Sequence, residues 1–189
     1  VFNHIGSQSP QWQDVVENGE QSAYKDWFHI QRFPVTTDKL ANKRELPYHA
    51  FGFEDYMPKL NTANPEVKDY LLKVATYWIE EFNIDAWRLD VANEIDHQFW
   101  KDFRKAVLAK RPDLYILGEV WHTSQPWLNG DEFHAVMNYP LSDSIKEYFL
   151  RGIKKTDQFI DEINVQSMYY KQQISEVMFN LLDSHDTER

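Results

Sequence analysis

The chain has 189 residues, 42% of them hydrophobic, and a formal net charge of −10. Its length suits a single domain with a sizeable core, while the acidic surplus argues against a nucleic-acid partner, because no basic stripe offsets phosphate repulsion. Cysteine is absent, which excludes disulfides and thiolate metal sites, and no apolar run reaches the roughly 18 residues of a membrane span.

The first third of the chain, up to about residue 64, is irregular in pattern. Trp, Pro, Gly and His are scattered through it with little sustained periodicity. A structureless loop of this length is uncommon inside a compact domain. We therefore predict a small inserted subdomain at residues 5–64.

A regular alternation of helix and strand patterns follows. Asn64 and Pro65 indicate a helix start, and the apolar residues after them recur at three- and four-residue spacing, as in an amphipathic helix. Those residues are Val67, Tyr70, Leu71, Val74, Ala75, Trp78, Ile79 and Phe82. The later patterns predict strands at residues 84–90, 114–120, 135–139 and 177–182 and helices at residues 96–110, 142–151 and 157–173.

This alternation predicts parallel strands joined by right-handed helical crossovers. Two architectures fit the order, an open doubly wound sheet and part of an eight-stranded barrel. No glycine-rich phosphate-binding sequence follows any of the predicted strands, which weakens the first. The predicted fold class is therefore α/β, in the form of a partial TIM (β/α)8 barrel.

Three of the predicted strands end on or near an acidic residue, namely Asp90, Glu119 and Asp186. Any one of these acids alone could be a solvated turn residue or a helix cap. In parallel barrels, however, the C-terminal strand ends form the active site, so we expect the three at one mouth. Glycoside hydrolysis uses such a set, because one carboxylate attacks or stabilises the anomeric carbon while another protonates the leaving oxygen. Arg88 points to the same side of its strand as Asp90, where it would orient that carboxylate or form a structural ion pair.

At these positions the sequence resembles the alpha-amylase family of glycoside hydrolases. Four family motifs are matched in order, by VFNH at 1–4, WRLDVANE at 87–94, GEVW at 118–121 and LLDSHDTER at 181–189. A fifth segment, MPKLN at 57–61, is similar to the form found in neopullulanases, cyclomaltodextrinases and maltogenic amylases. The resemblance covers essentially the whole chain and implies barrel strands 3 to 7.

The resemblance implies a role for each matching residue. Asp90 would be the nucleophile, Glu119 the general acid/base, and Asp186 a ligand of sugar hydroxyls at the cleavage point. Six further residues would bind substrate or orient the acids: His4, Arg88, Asn93, Glu94, Trp121 and His185. Trp121 and also Trp127 are candidates for cleft aromatics, with core packing as the alternative for both. The implied mechanism is double displacement with net retention, which places the two reacting carboxyls roughly 5–5.5 Å apart.

The resemblance also sets expectations beyond the site. Residues 1–4 would end barrel strand 3, residues 5–64 would form the inserted subdomain, and residues 65–189 would continue the barrel through strand 7. Strands 1, 2 and 8 would lie outside this sequence, as would the N-terminal domain that builds a homodimer in this subgroup. The chain by itself is expected to have weak or no turnover.

The expected ligand is an alpha-glucan oligosaccharide, without a nucleic-acid or membrane partner, and the expected location is the cytoplasm. No organic cofactor is implied; a calcium site involving Asn3 occurs in some relatives of this type, but metal is not part of the predicted site. Two other functions stay open, an alpha-glucosidase or oligo-1,6-glucosidase and a non-catalytic binding scaffold. The MPKLN and VANE segments argue against the first, and the retention of all three acids argues against the second.

Overall fold

The computed structural model describes residues 2–36 and 45–187, and a parallel sheet lies at its centre. Three strands form this sheet in the order β1-β2-β3. They are β1 Ala86–Leu89, β2 Tyr115–Gly118 and β3 Ala135–Val136. Both pairings are parallel, as the alternation of the sequence predicts. Val1 of the first motif and residues 188–189 of the last lie outside the described residues.

Six α-helices accompany the sheet in the described part of the chain. They are α1 Pro10–Asn18, α2 Pro65–Phe82, α3 His97–Lys110, α4 Tyr139–Ile145, α5 Thr156–Met168 and α6 Gln172–Ser175. A π-helical turn, Lys146–Leu150, continues α4. No helix in the described segments is long and apolar enough to cross a membrane.

The predicted start of α2 is confirmed by its cap. The side chain of Asn64 accepts hydrogen bonds from the backbone N–H groups of Glu66 and Val67, at 2.8 and 3.4 Å. The helix ends at Phe82 and is capped by Asn83, which adopts the left-handed conformation with φ of 51°. The buried face is narrower than the apolar stripe in the sequence, because Tyr70, Trp78 and Phe82 are exposed. The residues of that stripe that reach the core are Val67, Leu71, Ala75 and Ile79.

Helix α3 is capped in the same way and packs beside α2. Asp96 accepts a hydrogen bond from the N–H of Phe99 at 2.8 Å, which satisfies a donor that the first turn leaves unpaired. Its inner face is formed by Phe99, Phe103 and Val107, which are fully buried. Trp100 is buried as well, and its indole N–H donates to the carbonyl of Ala92 at 2.8 Å. This bond ties α3 to the loop that follows β1.

The strand predicted at residues 177–182 is reduced to one parallel bridge between Met137 and Phe179. The segment has a sheet neighbour on one side only, and Val177, Phe179 and Leu182 are exposed by 44 to 62%. The strand predicted through residue 139 is also short, since the chain turns at Asn138 into α4.

The segment before α2 is joined to the sheet by apolar contacts rather than by strand pairing. Among the described residues it makes isolated antiparallel bridges, including those between His4 and Lys59 and between Phe28 and Leu60. Its buried side chains, such as Trp12, belong to the same cluster as Leu89 of β1. The domain boundaries predicted at residues 4, 64 and 189 stay predictions. The packing holds the segment against the end of the sheet where the acids lie.

Candidate active site

The register of β1 and β2 places the first two acids side by side. Leu89 is opposite Gly118, so Asp90 and Glu119 both follow directly at the C-terminal edge. The backbone N–H of Glu119 donates to the carbonyl of Leu89 at 2.9 Å, which extends the pairing by one step. Asp186 comes from the loop after Phe179, and all three acids line one cavity of about 560 Å³. The common mouth predicted from the strand ends is thus present.

A single guanidinium joins the three carboxylates. Arg88 contacts Asp90 Oδ1 through Nη1 and Glu119 Oε1 through Nη2, the latter at 2.7 Å. The same Nη2 lies 3.9 Å from Asp186 Oδ2. The planar fork of arginine carries donors in a fixed geometry, so it constrains the relative orientation of the acids. The predicted contact between Arg88 and Asp90 is confirmed, and it extends to Glu119.

Glu119 is the most enclosed of the three acids, with 4% of its surface exposed. Its Oε2 accepts a hydrogen bond from the backbone N–H of Val91 at 2.9 Å. Its Oε1 accepts one from the indole N–H of Trp121 at 3.2 Å. The side chains of Asp90 and Asp186 are 40% and 43% exposed. The arrangement therefore offers one tightly held carboxyl and two that are open to the cavity.

Two histidines, His4 and His185, line the same cavity. His185 Nε2 lies 3.0 Å from Asp186 Oδ2. His4 Nδ1 contacts Asn3 Oδ1 at 2.6 Å, and its ring stacks on Phe51 with centroids 4.8 Å apart. Burial lowers the pKa of His4 below its ordinary value of 6.5, against the smaller opposing influence of Asp90 and Glu94. Burial therefore favours the neutral form of the His4 ring.

The cavity wall formed by the VANE segment is held in place by a hydrogen bond and an ion pair. Asn93 and Glu94 line the cavity. Glu94 Oε2 accepts a hydrogen bond from the amide of Asn3 at 2.7 Å and pairs with Lys59 Nζ at 2.6 Å. Three of the motif segments, at residues 1–4, 57–61 and 87–94, thus meet at one carboxylate.

An aromatic pair forms another part of the wall. Trp121 stacks on Tyr139 with centroids 3.9 Å apart and an interplanar angle of 6°. Tyr139 is buried, whereas Trp121 is 45% exposed and lines the cavity. The other candidate aromatic, Trp127, packs against the core and against His97 instead.

Comparison with known proteins gives one consistent result. The model of the alpha-amylase catalytic domain matches residues 1–189. An intracellular maltogenic amylase of Bacillus subtilis (strain 168) is 60% identical over all of this chain and 31% of its own length. Neopullulanase 2 of Thermoactinomyces vulgaris is 48% identical over all of the chain and 32% of its own length. A solved cyclomaltodextrinase is 53% identical and superposes with a TM-score of 0.95, over 100% of this chain and 32% of that one.

The chain belongs to the alpha-amylase family. The partial TIM-barrel fold predicted from the sequence is confirmed, and so is the resemblance to the subgroup of neopullulanases, cyclomaltodextrinases and maltogenic amylases. The chain spans about a third of the length of the relatives it matches. The structure also brings together all nine predicted site residues, since eight line the cavity and Arg88 contacts its acids.

Several residues of this family site were not singled out by the sequence. Phe51, Met57 and Val91 line the cavity, while Lys59 holds Glu94 and Tyr139 supports Trp121. Met57 and Lys59 belong to the MPKLN segment, which marks the subgroup without giving its residues a role. Only the three-dimensional contacts reveal what the others do.

Asn3, the residue considered for calcium, is engaged with its neighbours. Its amide nitrogen donates to Glu94 at 2.7 Å and its oxygen contacts His4 at 2.6 Å. Across the described residues there is no group of three or more His, Asp and Glu side chains that could hold a metal ion. Both polar atoms of the Asn3 side chain are therefore engaged by neighbouring side chains.

Proposed function

We propose that the protein containing this chain hydrolyses alpha-1,4-glucosidic bonds, and alpha-1,6 bonds in branched substrates, with net retention of configuration. The observation that carries this proposal is the contact of one guanidinium, that of Arg88, with the carboxylates of Asp90 and Glu119, with Asp186 nearby. A retaining mechanism requires a nucleophile and an acid/base at short separation, whereas an inverting one needs a gap for water. Two terminal nitrogens of one side chain reach both carboxyls, which supports the short separation.

In the proposed first step, Asp90 attacks the anomeric carbon as the bond to the leaving oxygen breaks. Glu119 gives its proton to that oxygen, so the departing sugar leaves as a neutral alcohol. In the second step the Glu119 carboxylate takes a proton from water, and the water oxygen displaces Asp90 from the anomeric carbon. The product sugar then carries the original configuration, and Glu119 is protonated again.

The surrounding residues would position the sugar. Asp186 and His185, 3.0 Å apart, would bind hydroxyls of the sugar at the cleavage point, together with the ring of His4. Trp121 would present its flat face, which Tyr139 holds from behind, to a sugar ring. Asn93 and Glu94 would lie on the leaving-group side and influence which acceptor is used.

The names of the relatives guide the proposed substrate. They are called maltogenic amylase, neopullulanase and cyclomaltodextrinase, and we propose cyclodextrins, pullulan or starch oligosaccharides, with cyclodextrin preferred over starch. The alternative is an alpha-glucosidase or oligo-1,6-glucosidase specificity. Analysis of the products formed from these three substrates would distinguish it from the proposed specificity. The relative named intracellular supports a cytoplasmic location, and a homodimer of the parent stays a proposal.

The catalytic assignment can be tested with acid-to-amide variants of the full-length parent. Glu119→Gln is expected to lower kcat on cyclodextrin on the order of 10² to 10⁴-fold, and Asp90→Asn by more. Glu132→Gln is the matched control, because Glu132 lies in the segment between β2 and β3 and is buried at 2% exposure, yet it contacts His97 outside the cavity. Activity near the parental level in Glu119→Gln would reject the assignment.

A further inference from the structure

The sequence contains two Asn-Gly pairs, Asn18-Gly19 and Asn129-Gly130, and the proposed hydrolysis uses neither of them. In such a pair the backbone nitrogen of the glycine can attack the side-chain carbonyl carbon of the asparagine, because glycine has no Cβ to obstruct the approach. The attack needs a glycine N–H that is free of other hydrogen bonds and a backbone that can bend toward the side chain. The two pairs differ in both respects.

The first pair is held by helix α1. Asn18 is the last residue of this helix, with ψ of −9°, and the N–H of Gly19 donates to the carbonyl of Val15. The side-chain nitrogen of Asn18 donates to Asp14 Oδ1 at 2.9 Å. These hydrogen bonds have to open before the glycine nitrogen can reach the side-chain carbon. The helix therefore slows the reaction at this pair.

The second pair lies in a bend between β2 and β3, and both of its residues are exposed. Gly130 has φ of 99°, and in the described part of the chain no heavy atom beyond its chain neighbours lies within 4 Å of an added Cβ. Among residues 2–36 and 45–187, no hydrogen bond engages the N–H of Gly130. The side-chain nitrogen of Asn129 donates to the carbonyl of Pro126 at 3.0 Å. The glycine nitrogen is therefore free to react at this pair.

We propose that Asn129 is a site of spontaneous deamidation in the protein containing this chain, and that Asn18 resists the reaction. The nitrogen of Gly130 loses its proton to solvent and bonds to Cγ of Asn129. The bond from Cγ to Nδ2 then breaks, and the nitrogen leaves as ammonia after taking a proton from solvent. One water molecule opens the resulting succinimide ring at either carbonyl, which gives aspartate or isoaspartate.

The modification falls beside a segment that is tied to α3. Asp131 pairs with Lys101 Nζ at 2.9 Å, and the buried Glu132 contacts His97 Nδ1 at 2.9 Å. Either product adds a negative charge next to these contacts. The isoaspartate form also adds one carbon to the main chain, because the chain then runs through the former side chain. The reaction thus strains the connection between α3 and β3.

The test incubates the full-length parent in mildly alkaline buffer, below its unfolding temperature, and follows both Asn-Gly peptides by mass spectrometry. The Asn129 peptide should gain one mass unit about tenfold faster than the Asn18 peptide, which is the difference expected when one backbone hydrogen bond has to open first. An enzymatic methylation assay should detect isoaspartate in the same peptide. Asn129→Gln should remove the fast reaction, because the longer side chain has to close a larger ring.

The denatured parent is the matched control. In guanidinium chloride neither pair keeps its native contacts, so the two peptides should react at similar rates. Equal rates in the native protein, a faster reaction at Asn18, or a rate difference that persists in denaturant would overturn the proposal. An isoaspartate signal that is undiminished in the Asn129→Gln protein would overturn it as well. The readout is a mass change, so its failure is separate from failure of the proposed function.

Discussion

The backbone N–H of Val91 donates a hydrogen bond to Oε2 of Glu119 at 2.9 Å. Val91 directly follows Asp90 and adopts a left-handed conformation with φ of 45°, which is a rare state for a β-branched residue. The strained residue thus connects the proposed nucleophile to the proposed acid/base through one backbone group. The contact fixes the second oxygen of a carboxyl whose first oxygen faces Arg88 and Trp121.

The strain at Val91 can be measured by replacing it with glycine. A left-handed L-residue costs about 1–2 kcal/mol, and its relief offsets the entropic penalty of glycine, about 0.5–1 kcal/mol. Val91→Gly should therefore change the free energy of unfolding of the parent by less than about 1 kcal/mol. Val120→Gly, at a fully buried valine, should cost more than about 2 kcal/mol. Similar losses in both proteins, by denaturant titration, would argue against strain at Val91.

Arg88 and Arg111 lie at opposite ends of the sheet, and replacing each of them by lysine should have different effects. Arg88 touches the acids at the C-terminal edge, and lysine lacks its fork. Arg88→Lys should lower kcat of the parent about a hundredfold through misplaced carboxylates, with thermal stability nearly unchanged.

Arg111 is the control for that change. It donates to the carbonyls of Asn83 and Ile84, both at 2.8 Å, before β1 begins. Arg111→Lys should cost about 1 kcal/mol of stability and leave kcat within twofold. Activity lost equally in both variants would show that Arg88 acts only as a structural ion pair.

The pH dependence of stability should carry a contribution from His4. Burial lowers the pKa of its ring from 6.5, so the unfolded chain binds this proton more readily than the folded protein. The contribution of His4 to the free energy of unfolding is present in full above pH 6.5 and is lost as the pH falls through the lower folded-state pKa. The His4→Gln protein has no imidazole at this position, so it should lose less stability than the parent when the pH is lowered from 7.5 to 5. The unfolding midpoints of the two proteins should therefore change by different amounts over this range, and parallel curves would contradict the prediction.

The 189-residue chain should be a poor catalyst by itself. Large apolar side chains are exposed on the part of the chain after β3, among them Phe149, Leu150, Met168 and Leu182. Exposed apolar surface and sheet edges favour self-association. Because the Asp186 loop belongs to this region, we expect hydrolysis below about a hundredth of the parent's rate. Side-by-side assays on cyclodextrin check this, and comparable rates per site would contradict it.

The positions of the acids were predictable because they depend on local signals. Period-two and helical patterns locate β1 and β2, and the barrel rule then places Asp90 and Glu119 at one edge. Asp186 followed from the same rule although its strand, at residues 177–182, is only a bridge at Phe179. Strand pairing depends on distant neighbours, which local pattern does not report.

The supporting contacts were not predictable for the same reason. Lys59 and Glu94 pair across the junction of the inserted segment and the barrel, and no spacing in the sequence gives that distance. The left-handed conformations of Phe53 and Val91 contradict the preference of both residue types, so propensity excludes them. The exposed Tyr70, Trp78 and Phe82 of α2 show, likewise, that an apolar stripe need not be buried across its whole width.

Trapping the covalent intermediate tests the central claim most directly. The full-length parent with Glu119→Gln would be treated with a glucosyl fluoride bearing a second fluorine on its ring, which leaves without acid assistance and slows the second step. We expect a stoichiometric mass increase of one fluoroglucosyl group on the peptide that contains Asp90. A label on a different carboxylate, or no label together with a product of inverted configuration, would contradict the account.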